Sequence, residues 1–350
     1  MLWLGDFHNA KQLLSAIDRR VAKSGKRADS RAARIREVNG DGGAAADAQE
    51  FYRLRQGRAQ RSRMMSLILV PLELDVSGKL MQLPLSRAPQ IGAAVEFGYG
   101  PRSTDGPERA IVSLQELTGV LSAHQWYLNG VDVPSLGAKI HPHYGTFLPT
   151  RHEYVDLVAQ APLADPERAF DIGTGTGVLA AVLVNRGVPD VVGTDIHRRA
   201  VDGANDTFAR LGIADRARAE LTSMFPEGRA QLIVCNPPWL PGSANTSLDA
   251  AVYDPGSKML LQFLAGLPQH LTEGGEGWLL ISDLAELLGL RSREMLLNAI
   301  AAAGLEVVDR IDTVPTHRKS RDASDVLHEA RSREVTSLWR LRVARAASAR

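Results

Sequence analysis

Hydrophobic and polar positions recur with two different periods along the chain, and the changes of period divide it into elements. Over residues 8–24 the apolar positions Leu13, Leu14, Ile17 and Val21 share one helical face while Lys11, Arg19, Arg20 and Lys23 lie elsewhere, so a helix is predicted. Residues 39–47, rich in Gly and Ala, read as a loop or linker, and a second, basic helix is expected over 48–64. Strands are predicted over 66–76 and 79–85, joined at Ser77-Gly78, with Pro71 and Pro84 directing them to sheet edges. A helical pattern returns over 109–126 and ends at Asn129-Gly130.

From residue 153 onward the pattern is regular. Strand-length apolar runs at 169–172, 191–195, 231–235 and 277–282 alternate with helical stretches at 177–186, 198–211, 257–271 and 289–303. Such alternation predicts an α/β unit with a parallel sheet and helices on both faces. Runs at 305–314 and 335–343 would close the sheet as a hairpin around the basic, polar stretch 316–334. The expected organisation is an N-terminal accessory or substrate-recognition region, residues 1–138, and an α/β domain over 139–350.

Composition adds three constraints. A chain of 350 residues with 44% hydrophobic and 23% charged residues is an ordinary globular sequence, long enough for two domains. Its apolar stretches fall short of the ~18–20 residues that a bilayer crossing needs, so no membrane association is expected. The single cysteine, Cys235, excludes an internal disulfide and a cysteine-built zinc site, and favours a reducing, cytoplasmic setting. No basic segment followed by a long apolar core opens the chain, so no secretory signal is expected. His141, His143 and His152 lie close in sequence without a carboxylate or thiolate at ligand spacing, and no metal site is predicted.

The formal net charge of +1 conceals a division. Residues 1–63 hold 14 Lys/Arg against 7 Asp/Glu, a net +7, and residues 64–350 carry −6. A basic leader of this kind suits an acidic partner such as nucleic acid or the ribosome, or is simply a solvated helical face. Arg151 and the run 318–321 read as solvated charge, and Glu153 stands at capping-box spacing after Thr150.

Two local motifs carry chemistry. The first is Asp171-Ile-Gly173-Thr174-Gly175-Thr-Gly177, at the turn from a strand into a helix, where glycines let the backbone approach a ligand and the helix N-terminus favours an electron-rich group. Asp195 ends the next strand, at the spacing from which a carboxylate accepts both ribose hydroxyls. Together they predict an adenosine-type cofactor, and a nicotinamide dinucleotide fits equally at this point. The second motif, Asn236-Pro237-Pro238-Trp239, follows a later core strand, and the carboxyl ends of such strands converge on one crevice. The Asn236 side-chain oxygen and the Pro237 carbonyl can accept the two hydrogens of an amide or exocyclic amine, the prolines stiffen the loop, and Trp239 can stack on a flat acceptor. Nothing in this motif performs hydride transfer.

These residues resemble class I S-adenosylmethionine-dependent methyltransferases of the Asn-Pro-Pro-aromatic branch, and most closely the HemK-like and small-methyltransferase-domain enzymes. The resemblance covers roughly residues 139–343. It implies a Rossmann-like seven-stranded sheet, mostly parallel with the last strand antiparallel, beside an N-terminal α+β domain. It also implies S-adenosyl-L-methionine as cofactor, with Gly173, Thr174, Gly175 and Gly177 near its methionine part, Asp171 near its amino group, and Asp195 and Ile196 at the ribose and adenine. Phe147, Pro149 and Thr150 match the segment that covers the pocket. Ser223 stands where relatives often place an acid, so Ser223 and Met224 would meet adenine largely through the backbone. Asn236 would orient the acceptor nitrogen. The implied reaction is N-methylation of a macromolecule: a glutamine of a translation factor or ribosomal protein first, an RNA or DNA base as the alternative. A small-molecule methyltransferase and a non-catalytic cofactor-binding protein are further alternatives.

Overall fold

The computed structural model describes residues 1–39, 44–103, 106–147, 151–243, 249, 251–315 and 327–345, with side chains described outside 24–47. The chain clusters into two units, Met1–Leu128 and Asn129–Arg350, each with its own core.

In the first unit, α1 (Phe7–Asn39) and α2 (Ala44–Met65) form a pair of long helices. The first buries Phe7, Ala10 and Leu14 along one stripe, and Arg61 of the second donates to Asp18 of the first at 2.6 Å. The helix predicted over 8–24 therefore runs on to residue 39. The helix α2 starts at Ala44, inside the stretch read as a linker, of which residues 40–43 lie outside the described residues. Strands β1 (Leu69–Leu74), β2 (Met81–Gln82) and β3 (Arg109–Ser113) make an antiparallel sheet in the order β2-β1-β3. Pro71 thus lies in the central strand rather than at the expected edge. It is tolerated because β2 pairs only with Glu73 and Leu74, which leaves Pro71 unpaired on that side.

Helices α3 (Gly92–Tyr99) and α4 (Leu114–Asn129) complete the region. The helix expected over 109–126 begins only at 114. Ala110 and Val112 pack on the core while Ile111 between them is exposed, a period of two that marks β3. Ser113 then stops the strand and caps α4, its hydroxyl accepting the Glu116 amide at 3.0 Å.

The second unit opens with a small hairpin of β4 (Val131–Val133) and β5 (Ala138–Ile140), then α5 (Glu153–Gln160). Its centre is a seven-stranded sheet of β6 (Arg168–Ile172), β7 (Asp190–Asp195), β8 (Ala217–Leu221), β9 (Ala230–Cys235), β10 (Leu271–Ser282), β11 (Leu305–Thr313) and β12 (Thr336–Val343). The spatial order is β11-β12-β10-β9-β6-β7-β8, and β12 runs antiparallel to both neighbours while the inner pairs are parallel. This is the seven-stranded arrangement expected, including its antiparallel last strand. The strand β8 escaped the sequence reading because it is a half-polar edge: Ala217 and Ala219 are buried, Arg218 exposed.

Successive residues of the inner strands serve opposite faces. Ala169, Val191, Leu232 and Val234 pack with α5, α6 (Val178–Asn185) and α7 (Arg198–Arg210). Phe170, Ile172, Val192 and Ile233 pack instead with α8 (Lys258–His270) and α10 (Arg293–Ala302), the short α9 (Leu284–Leu287) preceding the latter. A sheet covered on both sides explains the uninterrupted apolar runs. α11 (His328–Arg333) lies in the connection to β12. Because the chain leaves β6 toward β7 and β8 and then returns to β9 on its other side, the carboxyl ends of β6 and β9 open a crevice at the point of reversal.

Candidate active site

The glycine loop leaves β6 at that crevice. Gly173, Gly175 and Gly177 have φ of +72°, +56° and +78°, a region in which side chains are strained. A Cβ on Gly173 would lie 2.6 Å from the Met259 Cε, and one on Gly177 would lie 2.7 Å from the Phe208 ring. The Thr174 amide donates to the Thr194 carbonyl at 2.8 Å, tying the loop to β7. Behind it, Asp171 is buried and accepts the Thr174 hydroxyl at 2.7 Å and the Ala180 amide at 3.2 Å, both on Oδ2. Burial nevertheless pushes its carboxyl up to about 6, the Asp195 charge adding a smaller push.

Asp195, at the end of β7, is held by two backbone donors: Gly175 N–H on Oδ2 at 3.2 Å and His197 N–H on Oδ1 at 2.9 Å. One carboxylate thereby spans the glycine loop and the start of α7. The next residue, Ile196, is 64% exposed, an apolar side chain left open beside a fixed carboxylate. The turn after β8 runs alongside: Thr222 N–H reaches the Asp195 carbonyl at 3.1 Å, and the Thr194 hydroxyl donates to the Met224 carbonyl. Ser223 is exposed, and Met224 adopts φ +67°. Phe147 is partly buried, whereas Pro149 and Thr150 lie outside the described residues.

Asn236, Pro237, Pro238 and Trp239 follow β9, which pairs directly with β6. The indole N–H of Trp239 donates to Asn236 Oδ1 at 2.8 Å. The Arg151 guanidinium carbon sits 4.6 Å from the centre of the indole ring. Arg151 in turn donates to Glu153 at 2.6 Å and to Glu334 at 3.0 Å, and Glu334 also accepts the Ser282 hydroxyl at 2.7 Å. Both carboxylates are buried. Arg151 is therefore not the solvated charge read from sequence. Glu153 is engaged by Arg151, and α5 is preceded by His152 without a side-chain cap, with Thr150 outside the described residues.

Sequence reasoning missed two further contributors, Glu334 and Asp254. Glu334 comes from a turn 183 residues away from Arg151, with no local pattern to announce it. Asp254 accepts the amides of Met259 and Leu260 at 3.1 and 3.2 Å and so fixes the start of α8, which brings Met259 against Gly173. The Asp254 amide donates to the Leu240 carbonyl at 2.9 Å, tying the segment after Trp239 to the same helix. A Ser or Asp a few residues before an apolar run was the available signal for this one. Cys235, buried beside these groups, has its thiol pushed well up by burial and by the Asp171 and Asp254 carboxylates, so it stays protonated and is no nucleophile.

Three left-handed glycines, a carboxylate braced at the end of β7 and an exposed apolar side chain beside it thus meet at the crevice. Residues 156–288 match the family model described as the methyltransferase small domain. Among relatives, the chain is 33% identical over 127 residues to a tRNA1(Val) (adenine(37)-N6)-methyltransferase of Cytophaga hutchinsonii, covering 34% of this chain and 52% of that protein. It is 31% identical over 169 residues to a release factor glutamine methyltransferase of Cereibacter sphaeroides, covering 44% of this chain and 59% of that one. A similar solved structure is a ribosomal protein L11 methylase from Lactobacillus delbrueckii subsp. bulgaricus, with a TM-score of 0.39, 20% identity, and coverage of 57% of this chain and 81% of that one. The chain thus spans little more than half the length of these two curated relatives. No helix among the described residues is long and apolar enough to cross a membrane.

Proposed function

We propose that the chain is an S-adenosylmethionine-dependent N-methyltransferase acting on a planar nitrogen of a macromolecule in the cytoplasm, with a protein glutamine amide as the first acceptor. The observation that carries this reading is Asn236 at the mouth of the crevice opposite the glycine loop, in a loop stiffened by Pro237 and Pro238. Asp195 would take the ribose hydroxyls, Ile196 and the backbone at Ser223 and Met224 the adenine, and Asp171 the amino group. Bound there, S-adenosylmethionine supplies a sulfonium methyl that a nitrogen lone pair displaces in line, the C–S electron pair staying on sulfur and the surplus N–H proton leaving to water.

An amide nitrogen is a poor nucleophile because its lone pair is delocalised. Accepting both of its hydrogens, at Asn236 Oδ1 and the Pro237 carbonyl, returns electron density to nitrogen and fixes its approach. Trp239 uses one lone pair of Oδ1 and leaves the other for the acceptor.

A nucleobase amino group is the second reading. It is favoured by the +7 leader and by a relative whose name specifies tRNA adenine. Tritium transfer from labelled cofactor into a cell lysate, followed by ribonuclease or protease, separates the two: counts that survive ribonuclease and fall with protease support glutamine, and the reverse pattern overturns it.

A further inference from the structure

An asparagine side chain is nearly symmetric in shape but not in chemistry. Rotated by half a turn about its last bond, it offers N–H donors where it had offered a carbonyl oxygen, and the interior of a loop senses the difference only through its neighbours. For Asn236 the neighbour is the Trp239 indole, 2.8 Å from Oδ1. An indole nitrogen can only donate. The rotated amide would therefore set N–H against N–H, and a single residue at this position selects one of the two orientations. A phenyl ring in its place supplies no such discrimination.

The indole is itself held. The Arg151 guanidinium lies over its ring at 4.6 Å, an attraction between a cation and the electron-rich face. Arg151 is only 20% exposed and is fixed by Glu153 at the start of α5 and by Glu334 before β12. Glu334 is fixed in turn by Ser282 at the end of β10. A continuous chain of polar contacts thus runs from the sheet to Asn236. The ring also packs against both apolar cores of the domain. Its Arg151 face is occupied and is not a surface on which an acceptor stacks.

We infer that Trp239 is a positioning residue: clamped by Arg151, its indole N–H holds the Asn236 amide with Oδ1 toward the acceptor. The consequence for turnover rests on the methyltransferase reading, but the hydrogen bond is testable without any acceptor. Full-length protein with 15N-labelled indoles gives five Trp N–H signals, and Trp239→Phe identifies one by its loss. Asn236→Ala is expected to move the Trp239 signal and to speed its solvent exchange at least tenfold, the other four staying in place. Arg151→Met should do likewise. Should that variant fail to fold, Arg151→Lys, which keeps the charge but loses the flat face, replaces it. A Trp239 signal indifferent to Asn236→Ala overturns the proposal.

With the acceptor fraction found in lysate, Trp239→Phe should lower kcat roughly tenfold, the scale of one neutral hydrogen bond, with KM and cofactor affinity within about twofold. A raised KM at unchanged kcat is the mark of stacking and also overturns it. If no acceptor is ever labelled but the signal moves, the methyltransferase reading fails while the positioning contact stands.

Discussion

Asp171 sits wholly buried at the end of β6, its carboxyl pushed up to about 6 by burial that outweighs the hydrogen bonds from Thr174 and Ala180. With a folded value above the unfolded one of 3.8, its contribution to stability is intact below about pH 4 and is lost as pH rises through about 6. Asp171→Asn, uncharged throughout, should therefore gain on the parent between pH 4 and pH 7.5, by about 3 kcal/mol, since each tenfold change in proton affinity is worth ~1.4 kcal/mol. Urea unfolding of both proteins at the two pH values measures this, and parallel stability curves would refute it. Cofactor binding should run the other way. On the proposed role of Asp171 at the cofactor ammonium, affinity in the parent should rise from pH 5 to 7.5 while the variant stays flat by calorimetry. Asn236→Ala separates binding from turnover: methyl transfer should drop by at least a hundredfold while calorimetric cofactor affinity stays within twofold, and an active variant would remove Asn236 from the reaction.

Among the elements, the glycine loop is where packing and backbone strain can be told apart. Gly173→Ala meets the mobile end of Met259, which can swing away, so the expected loss is the left-handed backbone strain of about 1–2 kcal/mol. Gly177→Ala meets the Phe208 ring and the Ala204 Cβ inside the α6–α7 contact, where neither can move, so crowding adds roughly 1–3 kcal/mol more. Denaturant midpoints at constant slope should rank Gly177→Ala well below Gly173→Ala, and a reversed order would show that Met259 is the rigid partner. The same local physics decided what could be read from sequence. β6, β7, β9 and β10 are buried on both faces and announce themselves as apolar runs, and the glycine loop, Asp195 and the Asn236 loop are each contiguous. β3 merged with α4 because its period of two runs for only five residues directly before the helix, and the half-polar β8 resembled a loop. Glu334 was out of reach because its partner, Arg151, is joined to it only by the folding of the sheet.

At the scale of the whole molecule, charge is segregated: the first 63 residues carry +7 and the remainder −6. In the first unit Arg19, Lys23, Arg58 and Arg63 are exposed, while Phe7, Leu14, Phe51 and Met65 are buried. These cations can therefore be neutralised without disturbing the buried face of the helices. If they hold phosphates, each contributes about 0.7–0.9 to the slope of log affinity against log salt, so replacing all four by Gln should flatten that slope by roughly three. The acceptor KM in tritium transfer should then rise at least tenfold at low salt and converge with the parent at high salt. Cofactor affinity, which is proposed to rest on groups in the second unit, should stay within twofold. A KM unchanged at every salt concentration would make the two basic helices a solvated face, and acceptor choice would have to lie in the second unit itself.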